Sequence, residues 1–154
     1  MKGPYWTERS GRRRVGAEQT GRENMSVRKM IASHPAVHGH INEPLAEAAK
    51  HAMYCAVICT SCADACSAEE MDMRQCIRVC MDCADICTAT SRMAVRYTGS
   101  NNAALRAVLR ACIEICGMCA DECDKYDHDH CKRCAQMCRE CAQDCRRALA
   151  TLGN

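Results

Sequence analysis

The chain has 154 residues, 17 of them cysteine, with no Phe, one Trp, four Tyr and a formal net charge of +2. That length suits one domain of ordinary size, but not one built around large aromatic side chains. The near-neutral charge argues against nucleic acid as a partner, and no apolar run reaches the roughly 18 residues of a membrane span.

So many cysteines usually mark a secreted disulfide scaffold. The odd count opposes that reading. So does the N-terminal segment, where Arg12-Arg13-Arg14 is followed by Val15-Gly16-Ala17-Glu18-Gln19-Thr20 and not by an apolar leader. The expectation is a reduced, cytoplasmic protein, in which many cysteines point to metal.

In chain order, residues 1–24 carry six Lys and Arg against three Glu and no periodic apolar pattern, so they read as a disordered basic tail. Residues 25–41 read as a linker. A short helix covers 26–33, ends before His34-Pro35, and leads into a loop holding His34, His38 and His40. Residues 42–152 read as four helices near 43–66, 70–97, 103–125 and 129–151. Asn42 suits the first N-cap, with Glu43 and Pro44 in the first turn. Ser67-x-x-Glu70 reads as a capping box starting the second helix, Thr98 to Asn102 as a break, and Asp127 or Asp129 as the last cap.

The cysteines form an internal repeat. They fall at Cys55, Cys59, Cys62, Cys66; at Cys76, Cys80, Cys83, Cys87; at Cys112, Cys116, Cys119, Cys123; and at Cys134, Cys138, Cys141, Cys145. Every set steps by 4, 3 and 4, the d-a-d-a stripe of a heptad. Cys131 is one further a position. In the same register, apolar residues such as Ala56, Ala63, Ile77, Ala84, Ile115 and Ala135 flank the stripe, while Asp64, Arg78, Asp85, Glu114, Asp121, Gln136 and Gln143 face outward. Short connections then give an antiparallel up-down-up-down four-helix bundle with a cysteine-lined core.

Thiols packed only as small hydrophobes would leave a thin core without large side chains. Disulfides within a helix are strained, because Cβ atoms one turn apart lie about 5–6 Å from each other and a disulfide needs about 3.8 Å. Interhelical bridges stay open as an alternative. A metal fits better, and thiolate-only sites select Cu(I), Zn or iron–sulfur clusters. Iron–sulfur and zinc-finger cysteines sit on loops and turns, whereas these lie inside long helices. Four isolated tetrahedral zinc sites would set about +8 against about −16 from the thiolates, a prohibitive imbalance in a dry core. One Cu(I) per thiolate neutralises it, with each sulfur bridging two ions.

On its eight Cys-x3-Cys pairs (55/59, 62/66, 76/80, 83/87, 112/116, 119/123, 134/138 and 141/145) the chain resembles the bacterial copper storage proteins over about residues 40–152. The resemblance is to the cytosolic branch. It implies high-capacity storage of multiple Cu(I) ions, a homotetramer and no catalytic turnover. Expected partners are copper ions brought by a copper chaperone, with no nucleic acid and no membrane. No phosphate loop, nucleophile–base pair or open metal triad suggests an enzyme. A zinc or iron–sulfur cysteine bundle and a thiol-redox scaffold remain the alternatives.

The two ends of the stripe differ. One continues with Ile41, Leu45, Ala48, Ala52, Tyr97, Leu105, Leu109, Ala148 and Leu152, and reads as closed. The other continues with Met73, Cys131 and His130, with Met71 and His128 nearby, and reads as the copper entrance. The resemblance likewise places histidines at the mouth, here His128 and His130. The expected ligands are therefore the 17 cysteines with His128, His130 and Met73.

Overall fold

The computed structural model describes residues 26–153; the expectation of a basic tail at 1–24 lies outside them. The elements are α1 (Val27–Ala32), α2 (Glu43–Ser67), α3 (Arg74–Ala94), α4 (Asn102–Cys123) and α5 (Asp129–Thr151). The four long helices have 25, 21, 22 and 23 residues, roughly 32–38 Å at 1.5 Å per residue. Helix α2 packs on α3 and α5, and α4 packs on the same two, so sequence neighbours are neighbours in space around a square. The all-α four-helix bundle is as the heptad register requires. Helix α1 is an outrigger: Arg28 makes a forked pair with Glu43 (Nε to both carboxylate oxygens at 3.0 Å) and Ile31 is buried.

Helix starts follow local chemistry with two corrections. Asn42 caps α2, its Oδ1 accepting from the Leu45 amide at 3.1 Å, and Pro44 sits in the first turn. The Ser67–Glu70 capping box does not form. Ser67 Oγ donates back to the Asp64 carbonyl at 2.6 Å, so α2 continues through Ser67. Helix α3 starts four residues later than expected, at Arg74, whose amide donates to Asp72 Oδ1 at 3.2 Å. Neither Asp127 nor Asp129 caps α5. His128 is the N-cap without a side-chain bond, Asp129 lies within the first turn, and Asp127 pairs with Lys132. Gly99, at φ 84°, takes the left-handed turn between α3 and α4 where a Cβ would be strained.

The core contains small thiols where most bundles place leucine. All 17 cysteines are buried, none more than 2% exposed. The apolar end is filled by Leu45, Ala48, Ala52, Leu105, Leu109, Ala148 and Leu152, all buried. Asn42 Nδ2 donates to Thr151 Oγ1 at 2.8 Å across that end. Among the described residues no helix is long and apolar enough to cross a membrane.

Candidate metal centre

The thiols form a ladder. Across the antiparallel α3–α4 pair the sulfurs stand opposite one another level by level. Cys76–Cys123 is 3.8 Å, Cys80–Cys119 3.8 Å, Cys83–Cys116 3.7 Å and Cys87–Cys112 3.8 Å. Helix α2 adds Cys66, 3.6 Å from Cys76, at the first of these levels. Helix α5 is staggered. Cys134 lies 3.7 Å from Cys59 and 4.0 Å from Cys80, and Cys138 lies 3.7, 3.5 and 3.8 Å from Cys55, Cys59 and Cys83. Each of these α5 sulfurs therefore joins two levels.

All 17 side chains are free thiols. Quartets of sulfurs gather within 4.8 Å of one another, including Cys55/Cys87/Cys116/Cys141, Cys59/Cys119/Cys134/Cys138 and Cys62/Cys76/Cys80/Cys123. Metal–thiolate bonds of ~2.3 Å place two sulfurs about 3.8–4.0 Å apart on a tetrahedral or trigonal ion. The ladder is thus spaced for coordination throughout. Since Cys59 and Cys138 each belong to more than one such group, sulfurs are shared and not partitioned into isolated sites.

At the far end of the ladder, His130 Nδ1 faces three thiols: Cys131 at 3.4 Å, Cys62 at 3.6 Å and Cys66 at 3.9 Å. Its Nε2 lies 3.1 Å from Glu69 Oε1. A carboxylate only accepts, so Nε2 carries a proton; Nδ1 faces the thiols, donating to a thiolate while the ring is charged and presenting its lone pair once the ring is neutral. Burial of the ring disfavours its charge, but Cys62 and Glu69 together outweigh that and hold its pKa above the usual histidine value. Hydrogen bonding from Cys123, aided by Cys80 and His130, lowers the Cys62 thiol to about 6. Burial, with the neighbouring charge of Cys62, lifts Cys131 to about 12. Of these two thiols facing His130, Cys62 is thus the more easily ionised and Cys131 the less. A groove of about 380 Å³ between α2 and α5, lined by Ile58, Ser61, Cys62, His130, Arg133 and Glu140 among others, leads to this corner from the side.

His128 lies outside His130, their rings stacked with centroids 5.3 Å apart and 12° between planes. Met73 is 2% exposed, at the N-cap position of α3 within the apolar cluster. The methionine whose sulfur meets a histidine is Met71, 3.4 Å from His128 Nε2. Glu69 carried no sequence signal of its own, because it lies beside the apparent capping residue Glu70. His51, one position off the stripe, pairs with the buried Asp144, which Arg147 also holds.

A cysteine-lined helical bundle with a histidine-guarded end is the scaffold of a metal store and not of a catalyst. Residues 41–150 match the family model described as "Copper storage protein", and the chain belongs to that family. It is similar to the copper storage protein of Streptomyces lividans solved with 10 copper equivalents: 43% identity, covering 80% of this chain and 98% of that one, TM-score 0.76. It is also similar to a structure of that organism's protein described as a cytosolic copper storage protein with five coppers, at 46% identity, 72% and 96% coverage and a TM-score of 0.70. A single-histidine variant of the same relative matches at 44% identity, 73% and 98% coverage and a TM-score of 0.70. No curated protein matches the chain.

Proposed function

We propose that this protein stores Cu(I) in the cytoplasm, on the order of one ion per cysteine by charge balance, and that ions enter at the His130/Cys131 end. The shared sulfur ladder carries the reading. Each internal thiolate needs one positive charge, and a monovalent ion bridging two sulfurs supplies it without excess. The opposite end is filled by leucine and alanine, so uptake through the donor-rich end is the shorter route to sulfur. Cys62 receives the incoming ion as thiolate. His130 offers a lone pair beside it, and the ion passes inward by exchange between sulfurs, from Cys62 to Cys76, Cys80 and Cys123 within 4.8 Å and then along the ladder at less than 4 Å.

The similarity to a copper-loaded relative supports the choice of metal. In this reading a copper chaperone delivers the ion and the assembly is a homotetramer, for which sedimentation velocity is the check. The central test is anaerobic titration of reduced protein with Cu(I) against a competing chelator. Storage is expected to saturate near one ion per cysteine without visible colour; saturation near a quarter of that value would favour isolated zinc-like sites and overturn it.

A further inference from the structure

We propose that the outer face of α2 is the contact surface for a second copy of this chain, the two α2 helices lying antiparallel about a two-fold axis beside Val57. This rests on the homotetramer reading and deepens it by naming a face that pairs. Val57 is 66% exposed, and Met53 and Tyr54 are 42% and 47% exposed. All three lie on the side of α2 turned away from the thiols, where a solvated helix carries polar residues. Among the described residues they stay open to solvent.

The stripe is built to meet its own reverse. Steps of three, four and seven residues lead back from Val57 to Tyr54, Met53 and Lys50, and forward to Thr60, Ser61 and Asp64. These spacings keep all seven on one face of a helix. Large side chains and a cation precede the centre; small side chains and an anion follow it. A two-fold axis runs one helix against the other, so each half of the stripe meets the opposite half of its copy. Met53 and Tyr54 then fall opposite Thr60 and Ser61 of the second copy, large into small. Lys50 falls opposite Asp64 of the second copy, and every contact occurs twice. Thr60 Oγ1 already donates to the Ala56 carbonyl at 2.8 Å, so covering it strands no hydroxyl. The Asp64 carboxylate has no ion-pair partner among the described residues of its own chain. Parallel helices would set Lys50 against Lys50 and Asp64 against Asp64, and an unrelated partner would have no need of the symmetry.

The test is sedimentation velocity on the full chain, reduced and metal-free. Val57→Asp sets two carboxylates against each other across the axis. It is expected to raise the dissociation constant of the pair about tenfold, while Cu(I) capacity stays at the wild-type value because no sulfur is touched. Lys50→Glu alone and Asp64→Lys alone each place like charges opposite one another and are expected to weaken association. Lys50→Glu combined with Asp64→Lys restores the opposite pairs with their signs exchanged and is expected to recover the wild-type profile, a rescue that damage to folding would not show. Wild-type mass retained by Val57→Asp, or a double variant that associates no better than the single ones, would overturn this pairing and leave the homotetramer reading standing. A wild-type chain that sediments as a monomer would overturn both, so the two failures are distinguishable.

Discussion

The Sγ atoms of Cys59 and Cys138 stand 3.5 Å apart across the α2–α5 seam, and each also reaches a sulfur at a neighbouring level of the ladder. Cys145, in contrast, lies at the apolar end and meets Cys112 at 3.8 Å. If sulfurs are shared between ions, losing Cys138 disturbs more than one site. Cys138→Ala is expected to lower Cu(I) capacity by more than a single equivalent and Cys145→Ala by no more than one. Equal losses in anaerobic titration would contradict the shared network.

His130→Ala removes the imidazole nitrogen that faces Cys62, Cys66 and Cys131 but leaves every sulfur in place. Initial uptake is expected to slow about tenfold with capacity nearly intact. An unchanged rate would place the entrance elsewhere.

Met73 is buried in the apolar cluster, so its contribution is tested by separating volume from sulfur. Met73→Leu is expected to load copper at the wild-type rate. Met73→Ala is expected to cost about 2–5 kcal/mol through loss of buried surface and an unfilled cavity, read as a lower urea midpoint. Slow loading by Met73→Leu would make the thioether a ligand after all.

Asp144 is buried, with only 4% of its side chain exposed, and is held by His51 and Arg147. Removing one partner strands part of a buried carboxylate. His51→Ala is expected to cost about 1–3 kcal/mol in urea unfolding while copper capacity stays unchanged. A fall in capacity would link this seam to metal binding.

In the storage reading, copper binds the folded ladder more tightly than the unfolded chain's scattered thiols. Loading is therefore expected to raise Tm, with each site worth up to about 4 kcal/mol at a thousandfold excess over its Kd. A strong Cu(I) chelator should reverse the shift, and a Tm indifferent to loading would rule out coordination in the core.

The helices and their inward stripe were legible because both depend on local periodicity. Steps of 4, 3 and 4 put each cysteine on one face whatever the rest of the chain does. The Asn42 cap was legible for the same reason. The Ser67 capping box was not, since Ser67 has a competing acceptor in the carbonyl of Asp64, and both arrangements share one sequence pattern. Met71 was visible as a methionine near the mouth, but nothing local distinguishes it from Met73. The later start of α3 leaves Met71 in the loop and Met73 in the core.

Seventeen cysteines on four amphipathic stripes determine, by sequence alone, a thiol-filled bundle whose interior suits soft metal ions. Tertiary structure alone decided how those sulfurs meet. The half-level stagger of α5 makes Cys134 and Cys138 bridges between levels, and the fold of the loop at 68–73 brings Glu69 against His128 and His130, about 60 residues away. Helical periodicity is set over a few residues. Register between helices, and the placing of one carboxylate against two histidine rings, depend on contacts that exist only after distant segments have packed.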